Sequence, residues 1–378
     1  MRKSLLIAAM ACMAFTSCTE DEIFTNDFNQ ERTIAFSAPI VAPNTRAAKE
    51  HGTTYDTNSS FRVWGHYYGN AFNYYNSGVL YINNALCEYD GTSTWTPSNG
   101  RNTYYWPKNG TLTFIAYSPA DAEDKCASTG NKIKYTATGI TIDDYTVPTN
   151  PSNMQDLMFS ERVYDRTPTN QNYLEGTYTG VDLQFRHALS SIVFKVVQGN
   201  KTPGTEVTIT GIKLKNVKSK GDFNQNLEDR PGCITNLGTA ATPPTNMSQT
   251  VAAWTLDSTK ADYAVDLEHT ALKNGDDYAT PFWPCTNSFI APTVTNNFRD
   301  TDLLLLPQSQ SGIKLQIDYT VKSPDMTDAL PQQHTVDLSG TWQIGHRYVY
   351  TITISFNPIT LAPVVDVDWS DVTTPSNP

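Results

Sequence analysis

From residue 313 to 322 the chain reads IKLQIDYTVK, with every odd-numbered residue apolar or aromatic and every even-numbered one polar. Successive side chains of a strand point to opposite faces, so this pattern puts one face in a core and the other in water. Residues 348–356 (YVYTITISF) repeat the device. No stretch of twelve or more residues carries convincing 3.6-residue periodicity, and 22 Pro and 21 Gly punctuate the chain where helix interiors would be broken. The expectation is an all-β protein built of many short strands, in antiparallel β-sandwiches rather than a parallel α/β sheet.

Further strands follow from β-branched or aromatic runs bounded by Gly, Pro or Asn. The first set comprises residues 61–68, 79–82, 111–117 and 156–160, with one earlier run, Thr33-Ile34-Ala35-Phe36-Ser37-Ala38-Pro39-Ile40-Val41. A polar interval, 165–180, reads as the connection to a second set. That set holds 181–185, 192–197, a pair within 205–217 broken at Gly211, and the two alternating strands above. Leu303-Leu304-Leu305-Leu306-Pro307 is a continuous apolar run ended by proline, as in a strand buried on both faces. The expected organisation is a leader at 1–17, an N-terminal lead at 18–60, and two tandem sandwich domains at 61–178 and 179–378.

The leader has the order of an export signal. Arg2 and Lys3 supply positive charge, residues 5–15 (LLIAAMACMAF) form an apolar core too short to span a bilayer, and Thr16-Ser17 precede Cys18. An acidic run, Glu20-Asp21-Glu22, follows. This resembles a bacterial lipoprotein box, with Phe15 where Leu is usual, and makes Cys18 the candidate lipidation site; the bland alternative is an ordinary cleaved signal. Multiple acyl chains on Cys18 would hold the chain on a membrane, each buried CH₂ contributing ~0.8 kcal/mol. Of the six cysteines, Cys87, Cys126, Cys233 and Cys285 lie beyond the leader, with no CxxC spacing for zinc or redox work. Pairing within domains, Cys87 with Cys126 and Cys233 with Cys285, and buried free thiols are both open.

Composition excludes some classes. The formal net charge is −11, which argues against nucleic acid as a partner. No phosphate-binding loop and no G-x-S-x-G elbow occurs, and no two histidines are spaced to share a metal. His187 and Ser190 are near in sequence, but no acidic residue sits at a suggestive offset, so a structural histidine is expected; His346 reads as a polar turn residue. Asp143-Asp144, Asp276-Asp277, Asp300/Asp302 and Asp366/Asp368 read as solvated turn carboxylates rather than an acid–base pair or a calcium site. The chain is expected to be no enzyme, without cofactor or metal.

Taken in order, several segments resemble the fimbrillin-like pilin family of Bacteroidota, surface lipoproteins that build type V pili. They are the box at Cys18, Ile34-Ala35-Phe36 ahead of Thr45-Arg46-Ala47, Tyr105-Trp106-Pro107 leading to Phe114-Ile115-Ala116-Tyr117-Ser118-Pro119, and Asp156-Leu157-Met158. Phe185-Arg186-His187-Ala188-Leu189-Ser190, Leu305-Leu306-Pro307-Gln308 and residues 342–350 (WQIGHRYVY) complete the set. The resemblance implies two tandem transthyretin-like sandwiches and a maturation route. An outer-membrane lipoprotein precursor is cut by an Arg-directed protease in its lead, here between Arg46 and Ala47, and a strand from another fimbrial subunit fills the groove left behind. Residues 364–369 are expected to remain in their own sandwich rather than be donated.

A competing expectation is a glycan-binding lipoprotein that stays tethered at the cell surface through Cys18. Its candidate platform is the aromatic-rich stretch with Tyr67, Tyr68, Phe72, Tyr74, Tyr75, Tyr81, Trp95, Tyr104, Tyr105 and Trp106, since such rings stack on sugars or on a host protein. The same rings are ordinary in sandwich cores.

Overall fold

The computed structural model describes residues 28–37, 39–41, 53–68, 79–98, 103–126, 132–136, 139–168, 180–198, 206–227, 250–265, 271–272, 303–354, 360–361 and 365–368. They are almost entirely strand, with two short 3₁₀ turns, Ala122–Lys125 and Pro151–Asn153. The all-β sandwich architecture expected from the alternation is what the chain adopts.

The first sheet runs in the order Thr53–Thr54, Ile40–Val41, Gln184–His187, Met158–Ser160, Thr111–Ser118, Phe61–Tyr68, Val79–Tyr89, Trp95–Ser98, with Val163–Arg166 also on Thr111–Ser118. Its pairings are antiparallel except that of Ile40–Val41 with Gln184–His187. Two further sheets contribute to the second core. One has Leu303–Leu305, Ser190–Gln198 and His346–Ile354, with Thr360–Leu361 and Val365–Asp368 both on His346–Ile354. The other has Lys260–Ala264, Glu206–Lys218, Lys314–Lys322 and Leu330–Asp337. Val365–Asp368 thus pairs within its own chain, as expected, antiparallel to residues 346–349.

Burial follows the sequence pattern. Leu315 and Ile317 point inward, and Leu303 through Leu306 are all buried, the run enclosed on both faces. The inward faces give two cores. One gathers Ile34, Phe36, Phe61, Trp95, Trp106, Phe114 and Phe185; the other extends from Trp64 and Tyr117 through Phe159 and Ala188 to Tyr350.

A fourth sheet is not legible as such in the sequence. Ile133–Thr136 and Gly139–Thr146 continue into Lys220–Leu227 and Thr250–Leu256, so strands from both halves of the chain share one ladder. Gln225 fastens it to the first sheet, its side-chain amide donating to the Ser160 carbonyl (2.8 Å) while its carbonyl oxygen accepts from the Ile140 amide (3.1 Å). Asp144 (φ 62°) lies here in the left-handed region, its amide held by the Asp222 carboxylate at 2.7 Å. Asn216 (φ 64°), bonded to Asp262 at 3.0 Å, repeats the arrangement in Glu206–Lys218. Both residues sit where the strand register shifts, and short polar side chains tolerate that conformation best.

Several expectations need correction. Residues 206–218 form one strand with a register shift between Ile209 and Gly211, not a pair broken at Gly211. The polar interval 165–180 begins inside a strand, because Asp165 and Arg166 close Val163–Arg166 and are buried. Residues 184–187 pair in the first sheet rather than with the second set. Cys87 and Cys126 are both free thiols: Cys87 is buried in the first core and Cys126 packs against the second, so the two cannot meet. Cys233 and Cys285 lie outside the described residues.

Candidate functional site

The run 33–41 is the element whose position bears most on function. Its alternation, apolar Ile34 and Phe36 against smaller Ala35 and Ser37, predicts a half-buried strand, and Ile34 and Phe36 are indeed buried while Ala35 and Ser37 are half-buried. The backbone hydrogen bonds alternate with it. On one flank the Ile34 amide donates to the Tyr104 carbonyl (2.9 Å), and Phe36 exchanges both bonds with Trp95 (2.8 and 2.9 Å). On the other flank the Val181 amide donates to the Ala35 carbonyl (2.8 Å) and the Ser37 amide to the Val181 carbonyl (3.0 Å). Farther along, Ile40–Val41 lies between Gln184–Phe185, parallel, and Thr53–Thr54, antiparallel. Before it, Phe28–Thr33 pairs with Tyr105–Pro107. The lead strand therefore spans a slot between the two ends of the first sheet.

The floor of the slot is aromatic. The Phe36 ring meets Phe114 edge to face at 5.3 Å and Phe61 at 5.6 Å. Beneath them Tyr55 stacks on Phe185 at 5.4 Å, and Trp106 abuts Phe114 at 5.9 Å. The Trp106 indole nitrogen is buried with no hydrogen-bond partner among the described residues, whereas the polar tips of Trp95 and Tyr55 are satisfied. The Trp95 indole donates to the Ser59 carbonyl (3.1 Å), and the Tyr55 hydroxyl donates to the Ser60 carbonyl (2.9 Å) and lies 2.7 Å from the Ser118 hydroxyl. Burial raises the Tyr55 phenol above its ordinary range, so it stays a neutral donor. Gly180 forms part of the wall: a Cβ there would lie 2.6 Å from the Ser37 nitrogen and 2.8 Å from the Ala35 oxygen. Burial of Ile34 and Phe36 contributes ~1.5–3 kcal/mol each and every backbone bond ~0.5–1.5 kcal/mol. The strand is firmly seated yet attached only by non-covalent contacts and its own chain ends.

Cys18, Arg46 and Ala47 lie outside the described residues. In sequence Arg46 falls between Val41 and Thr53, two residues paired across adjacent antiparallel strands. Of the aromatic stretch, Trp95, Tyr104 and Trp106 are core residues lining the slot, and Tyr67, Tyr68, Tyr81 and Tyr105 are half-buried. Phe72, Tyr74 and Tyr75 lie outside the described residues. Of the slot residues, Phe185 stands in a segment that resembles the family and Phe61 opens an expected strand, whereas nothing in the sequence marks Tyr55 or Gly180.

Asp276, Asp277, Asp300 and Asp302 lie outside the described residues, and other candidates are occupied structurally. His187 is buried with Nδ1 2.8 Å from Asp156, an acid 31 positions away that sequence offset does not disclose. The Ser190 hydroxyl donates to the Gln343 carbonyl (2.7 Å) and is committed there. Asp143 pairs with Lys134, and Asp144 with Lys132 and Lys220; hydrogen bonds from those two lysines hold the Asp144 carboxyl down at about 2. Among the described residues no group of three or more His, Cys, Asp or Glu could hold a metal ion, and no helix is long and apolar enough to cross a membrane.

A fimbrillin-like family profile matches residues 45–369. The chain belongs to the fimbrillin-like family. The match opens at Thr45, immediately before Arg46, and takes in the second core and all of the first except Ile34 and Phe36. Among solved structures, a Bacteroides uniformis protein described as a cell adhesion protein is 15% identical with a TM-score of 0.48, over 90% of this chain and 99% of that one. The fimbrial anchor protein Mfa2 from Porphyromonas gingivalis is 11% identical (TM-score 0.30; 89% of this chain, 98% of that one). The tip fimbrial protein Mfa3 from the same organism, C-terminally truncated, is 10% identical (TM-score 0.29; 89% and 99%). No curated protein matches this fimbrillin-like chain.

Proposed function

We propose that this chain is a fimbrial subunit with a structural, adhesive role, exported as a lipoprotein acylated at Cys18 and assembled by strand complementation. Family membership supports the fimbrial part. The observation that supports strand complementation is the lead strand, which completes the first sheet by hydrogen bonds on both flanks and buries Ile34 and Phe36 in its core; acylation rests on the sequence before Cys18. A cut between Arg46 and Ala47 separates this strand from the body covalently and leaves it held by contacts alone. Once it departs, the slot presents unpaired backbone groups above an aromatic floor, an edge that another strand must cover. In this account the precursor sits on the outer membrane and the mature subunit in the fimbrium, its partners being other subunits. The two sandwich domains, 61–178 and 179–378, are part of the same reading.

The donor suggested by the sequence is residues 359–365 of a second copy. Ile359-Thr360-Leu361-Ala362-Pro363-Val364-Val365 has, with one residue fewer, the order of groups in Ile34-Ala35-Phe36-Ser37-Ala38-Pro39-Ile40-Val41. To be donated, it must leave its pairing with Ile352 and Thr353 and draw Val365 away from Val349, against the expectation that residues 364–369 stay in their own sandwich.

Treatment of the precursor with an Arg-specific protease tests the reading. The expected products are a new N-terminus at Ala47 and SDS-resistant multimers. Assembled protein that still begins at Cys18 would overturn it.

A further inference from the structure

We infer that residues 180–190 couple occupancy of the lead-strand slot to the packing between the two cores. The inference rests only on how the lead strand is seated, and holds whether or not that strand is ever exchanged.

The segment has two consecutive sets of partners. Its first half is gripped by the lead strand: Val181 bonds to Ala35 and Ser37, and Gln184 and Phe185 pair with Ile40 and Val41. Its second half is pinned at the junction. The Ala188 amide donates to the Leu157 carbonyl at 2.7 Å, and the Ala188 carbonyl accepts the Trp254 indole N–H at 2.7 Å. The Leu189 carbonyl accepts from the Gly345 amide at 2.8 Å. Between the halves Arg186 binds Glu161 and His187 binds Asp156, so the strand cannot slip past its neighbours freely.

Phe185 belongs to the first core and Ala188 to the second, three residues or roughly 10 Å apart along a strand. Trp254 packs on Phe223 at 5.3 Å, and Phe223 packs on Phe159 at 5.1 Å, so the Ala188 carbonyl is tied to a close-packed aromatic cluster of the second core. Close-packed interiors pass displacements on rather than absorb them. With the slot filled, Gln184 and Phe185 have backbone partners on both flanks, Ile40–Val41 on one and Ser160 and Glu161 on the other. With it empty, the Ile40–Val41 side is lost, the condition of an edge strand, which opens more readily. An empty subunit is therefore looser than a filled one at Ala188 and Leu189, where the segment enters the second core.

The test uses the full chain carrying Ile34→Asp and Phe36→Asp, which put carboxylates into the apolar slot and unseat the lead strand without a cut. Hydrogen exchange is followed at Ala188 and Gly345. The environment of Trp254 is read by fluorine NMR on fluorotryptophan-labelled protein, its signal assigned among the seven tryptophans with Trp254→Phe. The expected result is at least ~10-fold faster exchange at both amides, a shifted Trp254 signal, and reversal of both by excess peptide of residues 31–43. If the double variant does not fold, Gly180→Ala perturbs the same seat more gently and should move the same reporters in the same direction. Faster exchange confined to Trp95 and residues 180–185, with Ala188, Gly345 and Trp254 unmoved, would overturn the inference. So would loosening in the Ile34→Asp, Phe36→Asp chain that the peptide does not reverse.

Discussion

Gly180 passes so close beneath the lead strand that a Cβ on it would stand 2.6 Å from the backbone nitrogen of Ser37. Neither backbone can retreat cheaply, since Val181 next along is hydrogen-bonded to that same strand. Gly180→Ala is expected to weaken the seat of the lead strand by ~1–3 kcal/mol, the usual cost of overpacking. Amide exchange at Ser37 and Phe36 reports it; unchanged protection there would show that the wall yields.

Phe36 should dominate the affinity of the strand for its slot. Truncation of a buried phenylalanine to alanine costs ~3–5 kcal/mol through lost transfer energy and the cavity left behind. Ser37→Ala removes only a 3.3 Å hydroxyl bond to the Val181 carbonyl and should cost ~1 kcal/mol or less. Denaturant midpoints for the first core, read by near-UV circular dichroism, should rank wild type, then Ser37→Ala, then Phe36→Ala with a clear gap.

Much of this site was legible in the sequence, and for a definite reason. The Ile34/Phe36 alternation marks a half-buried strand wherever it pairs, and Leu303 to Leu306 can satisfy their side chains only inside a core. What could not be read was who pairs with whom. Lys220–Leu227 (KGDFNQNL) looks like a polar turn because only Phe223 and Gln225 of its central residues do inward work, one in the aromatic junction and one as a hydrogen-bonding stitch. Asp156 and His187 meet across 31 residues only because Met158–Ser160 and Gln184–His187 are ladder neighbours. The parallel pairings of Ile40–Val41 and of Ser190–Gln198 likewise depend on distant chain, which periodicity does not encode.

His66 gives the fold a dependence on acid. Its ring lies 4.8 Å from Tyr135, and burial together with the positive charge of Arg162 holds it down at about 4 against an ordinary 6.5. The unfolded chain takes up that proton first, so the contribution is complete above pH 6.5 and is lost as pH falls toward 4. With the ring partly open to solvent, which screens the charge, the loss should amount to ~1–2 kcal/mol. His66→Phe should flatten the stability profile in that window, and Arg162→Met should raise the His66 midpoint measured by NMR titration. A profile identical to wild type in His66→Phe would assign the acid sensitivity elsewhere.

The two described thiols should behave as separate, poorly reactive groups. Burial raises the Cys87 thiol well above its usual range and, with Glu123 nearby, pushes Cys126 up to about 11. At pH 8 Cys126 should alkylate on the order of a hundredfold more slowly than an exposed thiol, and Cys87 only when the chain unfolds. Isotope-coded alkylation read by mass spectrometry distinguishes them, and a Cys87–Cys126 disulfide peptide in a non-reducing digest would contradict the structure.

Competition for the slot addresses the central claim most directly. Chain cut after Arg46 should form SDS-resistant multimers, and a synthetic peptide of residues 31–43 should suppress them in proportion to its occupancy of the slot, while the same peptide with Asp at the positions of Ile34 and Phe36 should not. Multimers that form equally well with the intact peptide present would mean that assembly does not pass through this slot.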